Sequence, residues 1–310
     1  MAEVFLRPCL SIGSGEGMSA GVMRDPWDDA TGPDPLQRDQ WGRPIIMRPD
    51  LPGGTCPEVK YCRITTGHGH YMRASRFATI LEDGIGLANW SVRHVALAAA
   101  RAAPSTRALL ASCWYPSKDN PCPELDDYID QALEQAKRDG EGKIETADYG
   151  TAVHRFAIPD SPPHAPETLA PDIEAHRIEL ARRRWRILES EIFIVHDTLR
   201  VAGTLDDLIL TGDDGRVVIG DKKTGKIRPL SQAVQLAIYA GGARYNPATG
   251  ARSVLHRRLD SRHGYIEHLP LGQGTCRMIG VDLKTAGIYA EMAREVHEAR
   301  RTAGTLLVDE

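Results

Sequence analysis

The pattern of apolar and polar positions changes character twice along the chain. Up to about residue 60, Gly, Pro, Asp and Ser dominate around DPWDDATGPDPLQRDQWGRP. No apolar period survives there, which predicts an irregular or mobile arm over 1–60. From 61 to about 187 the spacing is helical. Ser75 is expected to cap a short helix running to Glu82, and a longer one starts at Gly86 or Leu87 and stops before Pro104. Pro123 opens another, with Leu125, Ile129, Leu133 and Ala136 on one stripe, and Gly140 closes it. Two more are expected over 146–157 and 168–187.

After residue 188 the period shortens to two. EIFIVHD, RVAGTLDDLIL and RVVIGDKK read as strands, and TGDDG between the last two is hairpin chemistry, because Asp-Gly tolerates left-handed backbone angles. A helix over SQAVQLAIYAGGARY, strands at SVLHRRL and GYIEHLP, a third near RMIGVDL and a helix from about Lys284 to Arg301 complete the pattern. The expected fold class is α/β, a mixed central sheet flanked by helices, with a helical N-terminal part over 61–143 and the core over 144–310.

The chain has 310 residues, 42% hydrophobic and 26% charged, enough for a sizeable core. Its net charge of −4 means that any nucleic-acid site must gather basic residues locally. No apolar run is long enough for a membrane span and the N-terminus lacks signal-peptide character, so a cytoplasmic location is expected. Cysteines 9, 56, 62, 113, 122 and 276 form no CxxC pair and are expected to be reduced and structural.

The chemistry concentrates on the predicted strands. If the hairpin loop is even and centred between Asp213 and Asp214, Asp206 lies directly opposite Asp221; an odd loop or a bulge shifts the register by one. Two carboxylates so placed repel unless a cation lies between them. Lys223 follows Asp221 by two, on the same face by strand alternation, and Glu191 on the preceding strand reaches the same region. Oxygen ligands of this kind select Mg²⁺ or Mn²⁺, and such a cation with a nearby ammonium suits phosphodiester hydrolysis. Taken singly, an Asp-x-Lys is common, and Asp206-Asp207 or Lys222-Lys223 read as edge or surface charges. GDKKTGK (220–226) matches the start of a phosphate-binding loop, but Ile227 stands where Ser or Thr is required, which argues against nucleotide hydrolysis.

AGTLDDLIL, VVIGDKKTGK and QAVQLAIYA together resemble the RecB-like branch of the PD-(D/E)XK nuclease superfamily. The resemblance spans about residues 144–245 and implies a restriction-endonuclease-like core. It marks Asp206 and Asp221 as metal ligands, Lys223 as the catalytic lysine, and Gln235 and Tyr239 as a pair one helical turn apart. YGTAVHRF matches the family's upstream histidine setting and makes His154 a further metal ligand; taken alone, it reads as a packed or surface histidine. Glu191 is similar to the first-strand acid, with Glu189 the same-face alternative. The wider layout is similar to exonucleases of actinobacterial phages. Together these imply a Mg²⁺- or Mn²⁺-dependent DNA exonuclease of recombination, replication or repair, working alone or with a separate protein partner. A sequence- or structure-specific endonuclease and a non-catalytic nucleic-acid-binding protein are the alternatives. Branch members with an iron–sulfur cluster carry three cysteines after the core; only Cys276 follows it here, so no cluster is expected. Arg182–Arg186 and the group Arg252, Arg257, Arg258 and Arg262 are candidates for phosphate contact, with surface solubility an equal explanation.

Overall fold

The computed structural model describes residues 36–303, except 40–41, 49, 51–53, 56–62, 65–66, 83–84, 113–121, 140–142, 159–164 and 213. Five short strands come first: β1 (Ile45–Met47), β2 (Gly54–Thr55), β3 (Arg63–Ile64), β4 (His68–His70) and β5 (Met72–Arg73). Helices α1 (Ala74–Ala78), α2 (Ile85–Arg101), α3 (Pro104–Ser112), α4 (Pro123–Asp139), α5 (Lys143–Phe156) and α6 (Ala170–Arg182) follow. Then come β6 (Arg186–His196), β7 (Val201–Leu210), β8 (Val217–Lys223), α7 (Pro229–Gly241), β9 (Ala243–Tyr245), β10 (Arg252–Ser253), β11 (Leu259–His268), β12 (Arg277–Asp282) and α8 (Leu283–Thr302).

The fold is α/β. One mixed sheet runs in the order β10-β9-β6-β7-β8-β11-β12, parallel between β8 and β11 and antiparallel elsewhere along this path. Ile192, Ile194, Leu208, Ile219 and Ile266 of the sheet share a core with Phe77 of α1, Val234, Leu236 and Ile238 of α7, and Ala290 and Ala293 of α8. Glu267, next to Ile266, meets His176 of α6 instead. Because successive strand side chains point to opposite faces, α6 covers the other side of the sheet.

Local chemistry fixes the element ends. Pro229 starts α7, where its missing N–H costs nothing, and Gln232 Oε1 accepts the Arg228 N–H. Asp282 caps α8 by accepting from the amides of Lys284 and Thr285.

Several expectations change. Within the stretch read as irregular, Ile45–Met47 pairs with His68–His70, and Leu36 and Ile46 pack with Tyr71, Val195, Ala202 and Tyr245. Burial of this short apolar run against the sheet is a tertiary gain that no local period announces. The fifth helix was expected to reach residue 187 but ends at Arg182. Arg184 takes φ 55, a left-handed C-terminal conformation, and the Trp185 N–H donates to the Leu180 carbonyl. The helix expected over 231–245 stops at Gly241, and the chain turns into β9. A Cβ on Gly242 would overlap Ile194 Cγ2, so only glycine passes there. SVLHRRL contributes only Ser253 to the two-residue β10 and Leu259 to β11, with a turn between them, and Pro104 opens a helix of its own, α3. Cys122 is disulfide-bonded, a departure from the expected reduced cysteines. Cys9, Cys56, Cys62 and Cys113 lie outside the described residues. No described helix is long and apolar enough to cross a membrane.

Candidate metal centre

The hairpin register is the expected one as far as it runs: Leu210 pairs with Val217, Ile209 with Val218, Leu208 with Ile219 and Asp207 with Gly220. The ladder ends one pair short of Asp206 and Asp221. There the Lys222 N–H donates to Asp206 Oδ2 at 2.6 Å, a side-chain oxygen taking a role that a backbone carbonyl usually fills. On the same edge of β7, β5 pairs with Val201 and Ala202. Among the described residues Gly203–Asp206 therefore have no ladder partner on that edge, and the candidate site lies in this gap.

Glycine decides who enters the gap. A Cβ on Gly203 would lie 2.8 Å from the Tyr239 hydroxyl, so its absence lets the α7 tyrosine lie against β7. A Cβ on Gly150 would lie 3.1 Å from Thr224 Oγ1. This glycine thus lets α5 approach the loop after β8, and one helical turn later His154 Nδ1 stands 3.3 Å from Asp206 Oδ1.

Glu191 completes the group. It sits on β6 with φ 55, a strained angle for a non-glycine strand residue and of the kind that accompanies functional sites. Ligand atoms of His154, Glu191 and Asp206 all lie within 4.8 Å of one another. Glu189, the alternative first-strand acid, is engaged instead by Arg244 in a two-pronged ion pair.

Asp221 is 1% exposed and is not part of that convergent group. It pairs with the Lys223 ammonium, and Gln235 Nε2 donates to its Oδ1 at 3.4 Å and to the Tyr239 hydroxyl at 3.0 Å. The structure thus brings all seven expected residues to one region, but divides them. Glu191 joins His154 and Asp206, while Asp221 takes its counter-charge from Lys223.

The electrostatics follow from this crowding. Burial and the neighbouring Asp206 charge push Asp221 up to about 6, against the pull of Lys223. Burial and Asp206 also raise Glu191. Burial works against a charged His154, but the Asp206 carboxylate outweighs it and holds the imidazole pKa above its ordinary value. Asp206 itself lies below the usual range: burial opposes ionisation, and His154 with Lys222 and Lys223 overcomes it.

The donor set fits a divalent cation. An octahedral Mg²⁺ with ligands at about 2.0–2.1 Å keeps adjacent ligand atoms about 3 Å apart and opposite ones about 4 Å apart. Both values lie within the observed spread. Two carboxylates favour Mg²⁺ or Mn²⁺, and one imidazole shifts the balance toward Mn²⁺.

The sequence reading missed the residues behind this site. Lys222 and Asp207, read as edge or surface charges, form an ion pair in which both side chains are 0% exposed. Ser190 Oγ donates to Asp207, and Glu267 Oε2 lies 2.5 Å from His176 Nε2. Charges on a central strand, straight after the apolar run RVVIG, were the available signal, since such ions must be paired. The phosphate-loop match also resolves: Gly220–Lys223 belong to β8, so these residues form no cradle. Of the arginines considered for phosphate contact, Arg252 is tied to Asp197 and to two backbone carbonyls. Arg182 and Arg183 pair with Glu179, and Arg258 donates to the Gly215 carbonyl, while Arg184, Arg186, Arg257 and Arg262 stay exposed. Compared with known proteins, the chain matches no family model, and no curated protein matches it.

Proposed function

We propose that this chain is a Mg²⁺- or Mn²⁺-dependent deoxyribonuclease, an exonuclease acting at DNA ends, on a restriction-endonuclease-like core of the PD-(D/E)XK type. The observation that carries the reading is the convergence of His154, Glu191 and Asp206 beside the Asp221–Lys223 pair. A cation held by the first three would supply an acidified water and neutralise charge on a phosphodiester. The Lys223 ammonium, partly open to solvent, would offset negative charge on the transferring phosphate. Asp221, with its pKa near 6, can take up a proton close to neutral pH. Gln235 holds the Asp221 carboxylate in direction, and buried Tyr239 holds Gln235. Recombination, replication or repair of a phage genome is the setting that this reading implies.

The test is incubation with linear and covalently closed circular DNA, single- and double-stranded, in Mg²⁺, Mn²⁺ or a chelator. Linear DNA should be degraded and circles spared, with no activity in chelator or in Asp221→Ala and Lys223→Ala. Cleavage of closed circles would make the enzyme an endonuclease. Failure to cleave any substrate, with tight metal-independent binding that Asp221→Ala leaves intact, would make it a binding protein.

A further inference from the structure

Lys222 holds both members of the Asp206-Asp207 doublet. Its backbone N–H donates to Asp206 Oδ2 at 2.6 Å, and its side-chain ammonium pairs with Asp207. These contacts take over where the β7–β8 ladder stops, at Asp207–Gly220. The amide bond fixes Asp206 through Oδ2 and leaves Oδ1 facing His154. Where the Lys222 backbone sits thus decides whether the Asp206 carboxylate aims at the convergent donors.

The anchorage of that backbone is extensive. Asp207, Lys222, Glu267 and His176 are each no more than 1% exposed. Burial disfavours a charged lysine, yet Glu267 and Asp207 keep the Lys222 pKa above its ordinary value. Gly220 is part of the arrangement, because a Cβ there would collide with Glu267 Oε1. Stability alone does not call for ions here, since well-packed apolar side chains usually serve as well or better.

We propose that Lys222 is a positioning residue for the cation site, acting through its own amide on Asp206, with Asp207, Glu267 and His176 anchoring its ammonium. The proposal rests on the cation-site reading above. It also has a consequence independent of any metal: protection of the residue-222 amide.

The test compares the full-length protein with Lys222→Met/Asp207→Asn, which removes both charges of the pair, and with Val218→Ala, a β8 core change outside the network. Amide hydrogen exchange is followed by NMR without metal, and free Mn²⁺ is counted by electron paramagnetic resonance during titration. In the double variant the residue-222 amide should exchange at least about tenfold faster, and the Mn²⁺ Kd should rise about tenfold or more, as for other lost supports of metal ligands. Val218→Ala should leave both unchanged in the folded protein. Asp207→Asn alone, nearly isosteric, should move both in the same direction by less, and carries the test if the double variant does not fold. Unchanged amide protection together with unchanged Mn²⁺ affinity in a folded network variant overturns the proposal. If the wild-type protein binds no Mn²⁺, the cation reading falls, and the amide measurement alone decides the role of Lys222.

Discussion

The doublets Asp206-Asp207 and Lys222-Lys223 each divide between two environments with the same residue types and opposite outcomes. Asp207 and Lys222 are sealed with Glu267 and His176: the Asp207 carboxylate meets the Lys222 ammonium, and Glu267 meets the His176 imidazole. Asp206 and Lys223 belong to an open half, where the Lys223 and His154 side chains are 24% and 29% exposed. There three carboxylates, Glu191, Asp206 and Asp221, share one lysine and one histidine. Burial and the Asp206 charge raise Asp221 and Glu191 in this half, as burial and Glu267 raise Asp207 in the sealed one. Residue type does not separate the two halves; access to solvent does.

The comparison breaks most visibly on the sealed side. Asp207→Ala removes the carboxylate in contact with the Lys222 ammonium, and removing one partner of a buried pair costs about 3–5 kcal/mol. Urea denaturation should show that loss; a change under about 1 kcal/mol would mean that the network is not sealed. The open half should respond in the opposite sense. Asp221→Asn is expected to lower the proposed nuclease activity by about 10²–10³-fold while leaving metal-free stability unchanged or raised by about 1 kcal/mol, because a buried like charge is removed. Equal losses of activity and stability would erase the distinction between the halves.

Gly203→Ala sharpens the picture at the gap. The added methyl meets the Tyr239 hydroxyl and the Ala74 Cβ, for a cost of about 1–3 kcal/mol. Tyr239→Phe in the same chain should recover part of the lost Tm; no recovery would mean that the clash lies elsewhere.

The smallest effect is that of pH. Asp221, Glu191 and His154 all have raised folded-state pKa values, so near neutrality the folded site holds more protons than the unfolded chain. For the two acids, stability is lost as pH rises from the ordinary carboxylate range through their folded values; for Asp221 that window closes near 6. For His154 the loss begins near the ordinary histidine value, about 6.5, and continues through its raised one. The lowered Asp206 works the other way only at acid pH. Metal-free stability should therefore fall between about pH 4.5 and 8 from these groups. Mn²⁺ should reverse the trend, because it competes with the same protons. Thermal melts with and without Mn²⁺ across that range test the sign.

Much of this site was legible in order, though not in arrangement. The two strand runs and the Asp-Gly turn chemistry between them narrowed the hairpin register to a choice of loop parity, and the structure takes the even one from Leu210–Val217 to Asp207–Gly220. The splay at Asp206 was not legible, since it depends on a side-chain oxygen taking a backbone bond. The choice of Glu191 over Glu189 was likewise closed to alternation, which puts both on one face. It required the left-handed backbone at Glu191 and Arg244 arriving from β9 to claim Glu189.

By itself the sequence determined the helix-then-strand order and the central hairpin, because periodicity and turn chemistry are local; the grouping of His154 with the acids and lysine was implied only by the resemblance of its motifs. Only the tertiary structure decided which member of each charged doublet meets solvent and which is sealed. That choice depends on His176 from α6 and Glu267 from β11, residues distant in sequence from Asp207 and Lys222, whose contact depends on the packing of whole elements.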